Sequence, residues 1–167
     1  MQLNVPHGYQ PNDYTCGPKS LWMVLRYYKK RVPLSHLQRL CKTTVKTGTN
    51  RKMMKYAMQQ LGFTVHSTHD AHLTDVRVWV EKGVPVIIDF REWDEDITHY
   101  AVVIGVTKTR IILHDPAHGS HVNVSHREFT DRWYGKHHTR FTQWMMAVEP
   151  SGKRTSGRTN KNRPARG

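Results

Sequence analysis

The sequence predicts an α+β fold in which N-terminal helices pack on a mostly antiparallel β-sheet. Three observations carry that reading. Apolar residues recur at helical spacing through the first half of the chain. β-Branched apolar runs take over after residue 83. The two textures follow one another instead of alternating as βαβ units would.

The elements follow in order. Leu21, Val24, Leu25 and Tyr28 stand at i, i+3, i+4 and i+7, so a helix runs from about Cys16 to Lys30. Pro18 sits in its first turn, where a missing N–H costs nothing, and Pro33 follows its end. Ser35 can cap a second short helix carrying Leu37 and Leu40. Asn50 can cap a third, with Met53, Met54, Ala57, Met58 and Leu61 on one side and Gly62 as its stop. A fourth helix is expected from Thr74 or Asp75 to Lys82, ended by Gly83, although Val76, Val78 and Val80 also alternate as a strand would. Val84–Phe90, His99–Thr107 and Arg110–His114 read as strands buried on both faces. His121–Val124 and Phe141–Val148 read as further strands, with a short helix from Ser125 to Trp133 between them.

The chain has 167 residues and a mass of 19.5 kDa, enough for one domain with a core that needs no disulfide or metal staple. That domain is expected over residues 1–150. Lys and Arg number 26 against 13 Asp and Glu, giving a formal charge of +13. Nearly half of the excess lies in Ser151–Gly167, which holds Lys153, Arg154, Arg158, Lys161, Arg163 and Arg166 and no acid. This segment has no aromatic or large aliphatic residue, so it is expected to be a disordered basic tail. Such a tail is either simply solvated or binds nucleic acid or an acidic partner without sequence preference. The apolar runs Val84–Ile88 and Tyr100–Val106 are far shorter than the ~18–20 residues of a membrane span. Met1–Tyr9 shows no basic or apolar signal region, which predicts a cytoplasmic protein with reduced thiols. No glycine-rich phosphate loop is present, so a nucleotide enzyme is disfavoured and no cofactor is expected.

The chain has two cysteines. Cys41 lies beside Leu37 and Leu40 and reads as a buried structural thiol. Cys16 stands where the loop Gln10–Thr15 meets the N-terminus of the first helix. Unpaired N–H groups and the positive end of the helix dipole favour a thiolate there. A working nucleophile also needs a base, and that base needs an orienting partner. Twelve histidines are available. His99 opens one apolar strand and Asp115 closes the next, just before Pro116. A hairpin around Thr107–Arg110 brings both to the same open end, where a carboxylate can orient an imidazole. A capping or core histidine is the other reading of His99.

Two histidine groups, His66/His69/His72 and His114/His118/His121, have spacings that invite zinc. The first lacks a helical period, His118 reads as a rim residue, and no Cys-x-x-Cys or His-Glu-x-x-His is present; no metal is expected. Asp94, Glu95 and Asp96 read as a solvated turn or as a rim patch that selects basic substrates.

The segment from Gln10 through Cys16 to Leu21, running on through Met23–Tyr28, resembles the active-site helix of the bacteriocin-processing, double-glycine-leader cysteine peptidases. It is more similar to their stand-alone forms than to those fused to an export ATPase. Gly83–Ile88, His99–Gly105 and Ile112–Pro116 follow the family's pattern, and Phe129 and Trp133 resemble its closing helix. The resemblance covers residues 6 to 148. It implies a papain-like fold, a peptide or protein substrate, and a bacterial or phage origin. It also implies roles: Cys16 as nucleophile, His99 as general base and then acid, and Asp115 as the group that orients His99. Gln10 would join the Cys16 backbone N–H in an oxyanion hole. Gly17, Lys19 and Tyr100 would border the substrate cleft. Lys19 and Trp22 depart from the small residues common at their positions. A catalytically idle peptide-binding member of the fold, or a basic nucleic-acid-associated protein localised by its tail, are the competing readings.

Overall fold

A computed structural model describes residues 1–95, 97–133 and 143–152. Its elements are α1 (Cys16–Tyr27), α2 (Leu34–Leu40), α3 (Arg51–Gln60), β1 (Phe63–Thr68), α4 (Leu73–Glu81) and β2 (Val86–Arg91). Then come β3 (Thr98–Val106), β4 (Arg110–Asp115), β5 (Gly119–Ser125), α5 (His126–Arg132) and β6 (Met145–Pro150). The six strands form one sheet in the order β1-β6-β2-β3-β4-β5, with every neighbouring pair antiparallel. The architecture is the α+β arrangement that the order of sequence textures predicts. No helix among the described residues is long and apolar enough to cross a membrane.

Strands β2 and β3 form the middle of the core. Successive residues Ile87 and Ile88, and Ala101 through Ile104, are all fully buried. Successive side chains point to opposite faces, so both faces of these strands are covered. Burying each such aliphatic side chain is worth ~1.5–3 kcal/mol. Helix α1 packs on β3, with α2 and α3 against α1. Two tyrosines fasten the C-terminal end of α1: Tyr27 Oη donates to the Gly83 carbonyl at 2.8 Å and Tyr28 Oη to the Val148 carbonyl at 2.7 Å. At the other end Gly17 lets the helix come close to α3 and the 45–49 loop. A Cβ at Gly17 would lie 2.9 Å from Met54 Sδ and 3.1 Å from Thr49 Cβ.

One strand lies outside the predicted elements, and the fourth helix forms as predicted. The strand β1 pairs with β6 at the edge of the sheet, and its pattern Phe-Thr-Val-His-Ser-Thr buries only Phe63. An edge strand this polar gives a weak apolar signal. The valines near residue 78 resolve in favour of helix: Val76 and Val80 are buried one turn apart, while Val78 is exposed. Asp75 secures the start of α4 by accepting the His72 N–H at 2.7 Å. Of the strand predicted over Phe141–Val148, the part from Met145 is β6, and residues 141 and 142 lie outside the described residues. The basic tail from residue 153 also lies outside them.

The β3–β4 hairpin closes as predicted, with the Thr107 N–H donating to the Arg110 carbonyl at 2.8 Å. Val102 faces His114, so the start of β3 and the end of β4 lie together at one end of the sheet's strands.

Candidate active site

The loop before α1 is organised around one carbonyl. The Asn12 carbonyl accepts from the Gln10 side-chain Nε2 at 2.9 Å, from Thr15 Oγ1 at 3.1 Å and from the Thr15 N–H at 3.4 Å. Thr15, the N-cap residue, therefore spends its hydroxyl backward on the loop and makes no side-chain cap on the helix. The first N–H groups of α1 stay without a capping side chain, which leaves the positive helix end unneutralised at Cys16. The loop is also tied to the far end of the site, since the Gln10 N–H donates to the Pro116 carbonyl at 2.8 Å.

His99, near the start of β3, is buried, as is Asp115 at the end of β4. His99 Nε2 donates to Asp115 Oδ1 at 2.7 Å. With Nε2 engaged, Nδ1 is the ring nitrogen left for another partner, and Cys16 lies within interacting reach of His99. Burial pushes the His99 pKa down. The hydrogen bonds and negative charge of Asp115 and Cys16 outweigh it and lift the value to about 10. Asp115 shows the reverse balance. Burial raises its pKa, but the bond and charge of His99, with further donors, hold the carboxyl well below the usual carboxylate range.

Those donors are numerous. Asp115 Oδ1 also accepts the Ala117 N–H at 2.8 Å and the His118 N–H at 3.1 Å. Its Oδ2 accepts Trp93 Nε1–H at 3.0 Å and lies 3.2 Å from His118 Nδ1. His118 Nε2 in turn sits 3.0 Å from Glu92 Oε1. The other Glu92 oxygen accepts the Asp94 and Glu95 N–H groups, each at 2.7 Å. Arg132 Nη1 holds the Glu92 carbonyl at 3.0 Å. Asp115 is thus fixed in place by His99, by the turn that follows β4, and by Trp93 from the turn that follows β2.

A cleft of about 330 Å³ runs past Cys16 and Tyr14, between the 45–49 loop and Ile97–Tyr100. Tyr100 lines it, and its hydroxyl donates to the Thr49 carbonyl at 3.0 Å, joining the two walls. Behind Tyr100, across the β2–β3 pairing, stands buried Asp89, which accepts from Arg51 Nε at 2.6 Å. Gly17 lies behind the cleft wall, against Met54 and Thr49. Lys19, expected at the cleft border, instead places its Nζ 4.4 Å from the Trp22 ring centre, outside the set of cleft-lining residues.

The structure brings Cys16, His99 and Asp115 together and ties the Gln10 loop to them. Gln10 Oε1 is buried and has no hydrogen-bond partner among the described residues. The first histidine group disperses. His66 pairs with Glu149 at 2.8 Å, His69 faces Arg51, and His72 starts α4. The second divides. His118 joins Asp115, while His114 donates to the Val5 carbonyl and packs with His7 and His121. Burial is the largest cause that pulls the His114 pKa down to about 4. Among the described residues, His99, Asp115 and His118, and Glu92, Asp94 and His118, are the two sets of donors close enough to share a cation. The hydrogen bonds just described already engage most of the first set. Asp94 is largely exposed, as a turn residue should be, and Asp96 lies outside the described residues. Sequence reasoning missed Trp93, Glu92 and Asn12, which act through loop conformation. It placed His118 only at the rim, although its position three residues after Asp115 in a turn was a usable signal.

The chain matches the Peptidase C39 family over residues 4–140. It is 31% identical over 128 residues to the "Transport/processing ATP-binding protein ComA" of Streptococcus pneumoniae, covering 75% of this chain and 17% of that protein. It is 28% identical over 133 residues to the "Colicin V secretion/processing ATP-binding protein CvaB" of Escherichia coli, covering 80% and 17%. The chain thus spans about one-sixth of the length of these curated bacterial relatives. Among solved structures it resembles a double glycine motif protease from an AMS/PCAT transporter in complex with its leader peptide. That match has a TM-score of 0.72 and 25% identity, over 90% of this chain and 94% of the other. The peptidase domain of Streptococcus ComA shares the fold, with a TM-score of 0.73 and 22% identity over 89% and 100%. A C39-like peptidase from Bacillus anthracis shares it too, at 0.69 and 17% over 90% and 98%. A papain-like α+β fold, Cys16 at an open helix end beside His99, and the family match over most of the chain agree: this chain belongs to the Peptidase C39 family of cysteine-type peptidases.

Proposed function

We propose that Cys16, His99 and Asp115 hydrolyse a peptide bond, with Gln10 as an oxyanion donor. The observation that carries this reading is the buried Asp115–His99 hydrogen bond, with the Cys16 thiol on the other side of the imidazole at the open end of α1. In this mechanism His99 holds the thiol proton, and the Cys16 sulfur adds to the scissile carbonyl carbon. The carbonyl oxygen takes the negative charge and is met by the Cys16 backbone N–H and the Gln10 amide. One Gln10 N–H is spent on the Asn12 carbonyl, and the second is available for that oxyanion. As the tetrahedral centre collapses, the C–N bond breaks and imidazolium His99 gives its proton to the leaving amine. His99 then takes a proton from water, the hydroxide oxygen adds to the thioester carbon, and the Cys16 sulfur leaves as the acid product forms. Asp115 keeps its charge throughout and holds His99 in register.

The substrate class that fits best is a peptide with a double-glycine leader. The similar protease solved with its leader peptide supports it, as do the processing proteins that this chain resembles. A mixture-based peptide cleavage profile tests both parts. Wild type is expected to cut after Gly-Gly, and Cys16→Ala to lose at least ~10⁴-fold in kcat. Cleavage retained in Cys16→Ala would remove Cys16 from the chemistry. Peptide binding without turnover, equal in both proteins, would favour an idle peptide-binding protein.

A further inference from the structure

Away from the cleft, Trp22 and Arg26 of α1 border a second pocket of about 500 Å³ together with Pro6, Lys29 and Arg31, and Lys19 lies against the Trp22 ring. Its floor is built with care. The Lys19 ammonium lies 4.4 Å and the Arg26 guanidinium 4.9 Å from the Trp22 ring centre. Trp22 fits because residue 8 is glycine: a Cβ there would stand 2.8 Å from Trp22 Cζ3. Lys19 and Trp22, which depart from the small residues common at their positions in the family this helix resembles, have no part in the proposed peptidase chemistry.

The pocket's charge is uncompensated. Among the described residues no carboxylate oxygen lies within 4.0 Å of a Lys19, Arg26, Lys29 or Arg31 nitrogen. Arg26 Nε is buried and has no hydrogen-bond partner among them. Burial, and then the charge of Arg26, lower the pKa of Lys19. Of the 13 acidic residues only Asp96 lies outside the described residues. Residues 134–142 and 153–167 add cations and no acid. An anion from outside the chain is the natural complement.

We propose that this pocket binds a ligand carrying phosphate groups. The three lining cations, Arg26, Lys29 and Arg31, call for a multiply charged anion, and a phosphate brings about two charges at neutral pH where a carboxylate brings one. Guanidinium groups match phosphate oxygens in two-pronged geometry, which suits Arg26 and Arg31. Pro6 and Trp22 supply an apolar wall for the group that carries the phosphate. Trp22 has its ring engaged by Lys19 and Arg26 and its edge by Gly8, so it is not a free platform for base stacking. The recognition is of phosphate.

The test is calorimetric titration of the full chain with inorganic pyrophosphate. Wild type is compared with Arg26→Gln/Arg31→Gln and with Lys52→Gln/Lys108→Gln, which loses the same charge at exposed positions elsewhere. Wild type is expected to bind one pyrophosphate. The pocket variant is expected to weaken binding by about tenfold or more, and the control variant by less than about twofold. Unfolding midpoints of the three proteins confirm that each is folded. Equal weakening in both variants, or no one-to-one binding in wild type, overturns the proposal. Competition by a short single-stranded oligonucleotide identifies a nucleic-acid backbone as the phosphate source. Competition by a nucleoside triphosphate alone identifies a small phosphate ester. Cleavage activity is not read in this experiment, so its outcome is independent of the peptidase reading.

Discussion

Cys16 and Cys41 carry the same thiol at opposite ends of helices. Cys16 is the first residue of α1, where no side chain caps the helix. Cys41 is the C-cap of α2, its N–H donating to the Leu37 carbonyl at 2.9 Å, and it is 1% exposed. Burial alone pushes the Cys41 thiol up to about 12. The carbonyl end of a helix adds a further field against a thiolate, whereas the N–H end favours one. Cys16 also borders the cleft and meets His99, and Cys41 does neither. The two thiols differ in three features of position: helix end, access and a neighbouring imidazole.

The sharpest way to break the contrast is to weaken the group behind the imidazole. Asp115→Asn keeps the shape but removes the charge that raises His99. In this variant kcat/KM is expected to fall ~10²–10⁴-fold. In an NMR titration of the same variant, the His99 pKa should move down from about 10. An unchanged rate would mean that Asp115 is only structural. Gln10→Ala comes next, with an expected loss of ~10²–10³-fold in kcat and little change in KM, checked by steady-state kinetics on a cleaved peptide.

Stability should follow the same pair. His99 has a folded pKa above its ordinary 6.5, so its contribution is complete below that pH and is lost as pH rises toward about 10. Asp115 is depressed below its ordinary 3.8, so its contribution is complete above that pH and is lost as pH falls below it. Thermal unfolding should therefore show the full effect of the pair between these two values. The alkaline loss should flatten in Asp115→Asn. The smallest effect on activity is expected from Cys41→Ala, which should leave turnover within about twofold and cost ~1–2 kcal/mol in denaturant unfolding by leaving a small void.

Much of this site was legible before any coordinates. The helix at Cys16 followed from four apolar positions and a tolerated proline, and the meeting of His99 with Asp115 followed from a short hairpin. Both rest on local periodicity. What stayed hidden depends on loops. Trp93 reaches Asp115 from a turn 22 residues earlier in the chain. Glu92 holds His118 from the same turn. The Asn12 carbonyl that gathers three donors leaves no mark on side-chain pattern. Lys19 was expected at the cleft, but its position on α1 lets it lie over Trp22 instead. Strand β1 shows in the sequence only as an apparent strand-to-loop region around His66, because a half-exposed edge strand needs few apolar residues.

The most direct test of the account is iodoacetamide labelling of the native protein near neutral pH, with each cysteine adduct followed by mass spectrometry. Cys16 should be alkylated ~100-fold or more faster than Cys41, with Cys41 reacting only after unfolding. The rate at Cys16 should drop in His99→Ala. Equal, slow labelling of both cysteines, or a Cys16 rate indifferent to His99, would contradict the claim that this helix end and this histidine make Cys16 the nucleophile.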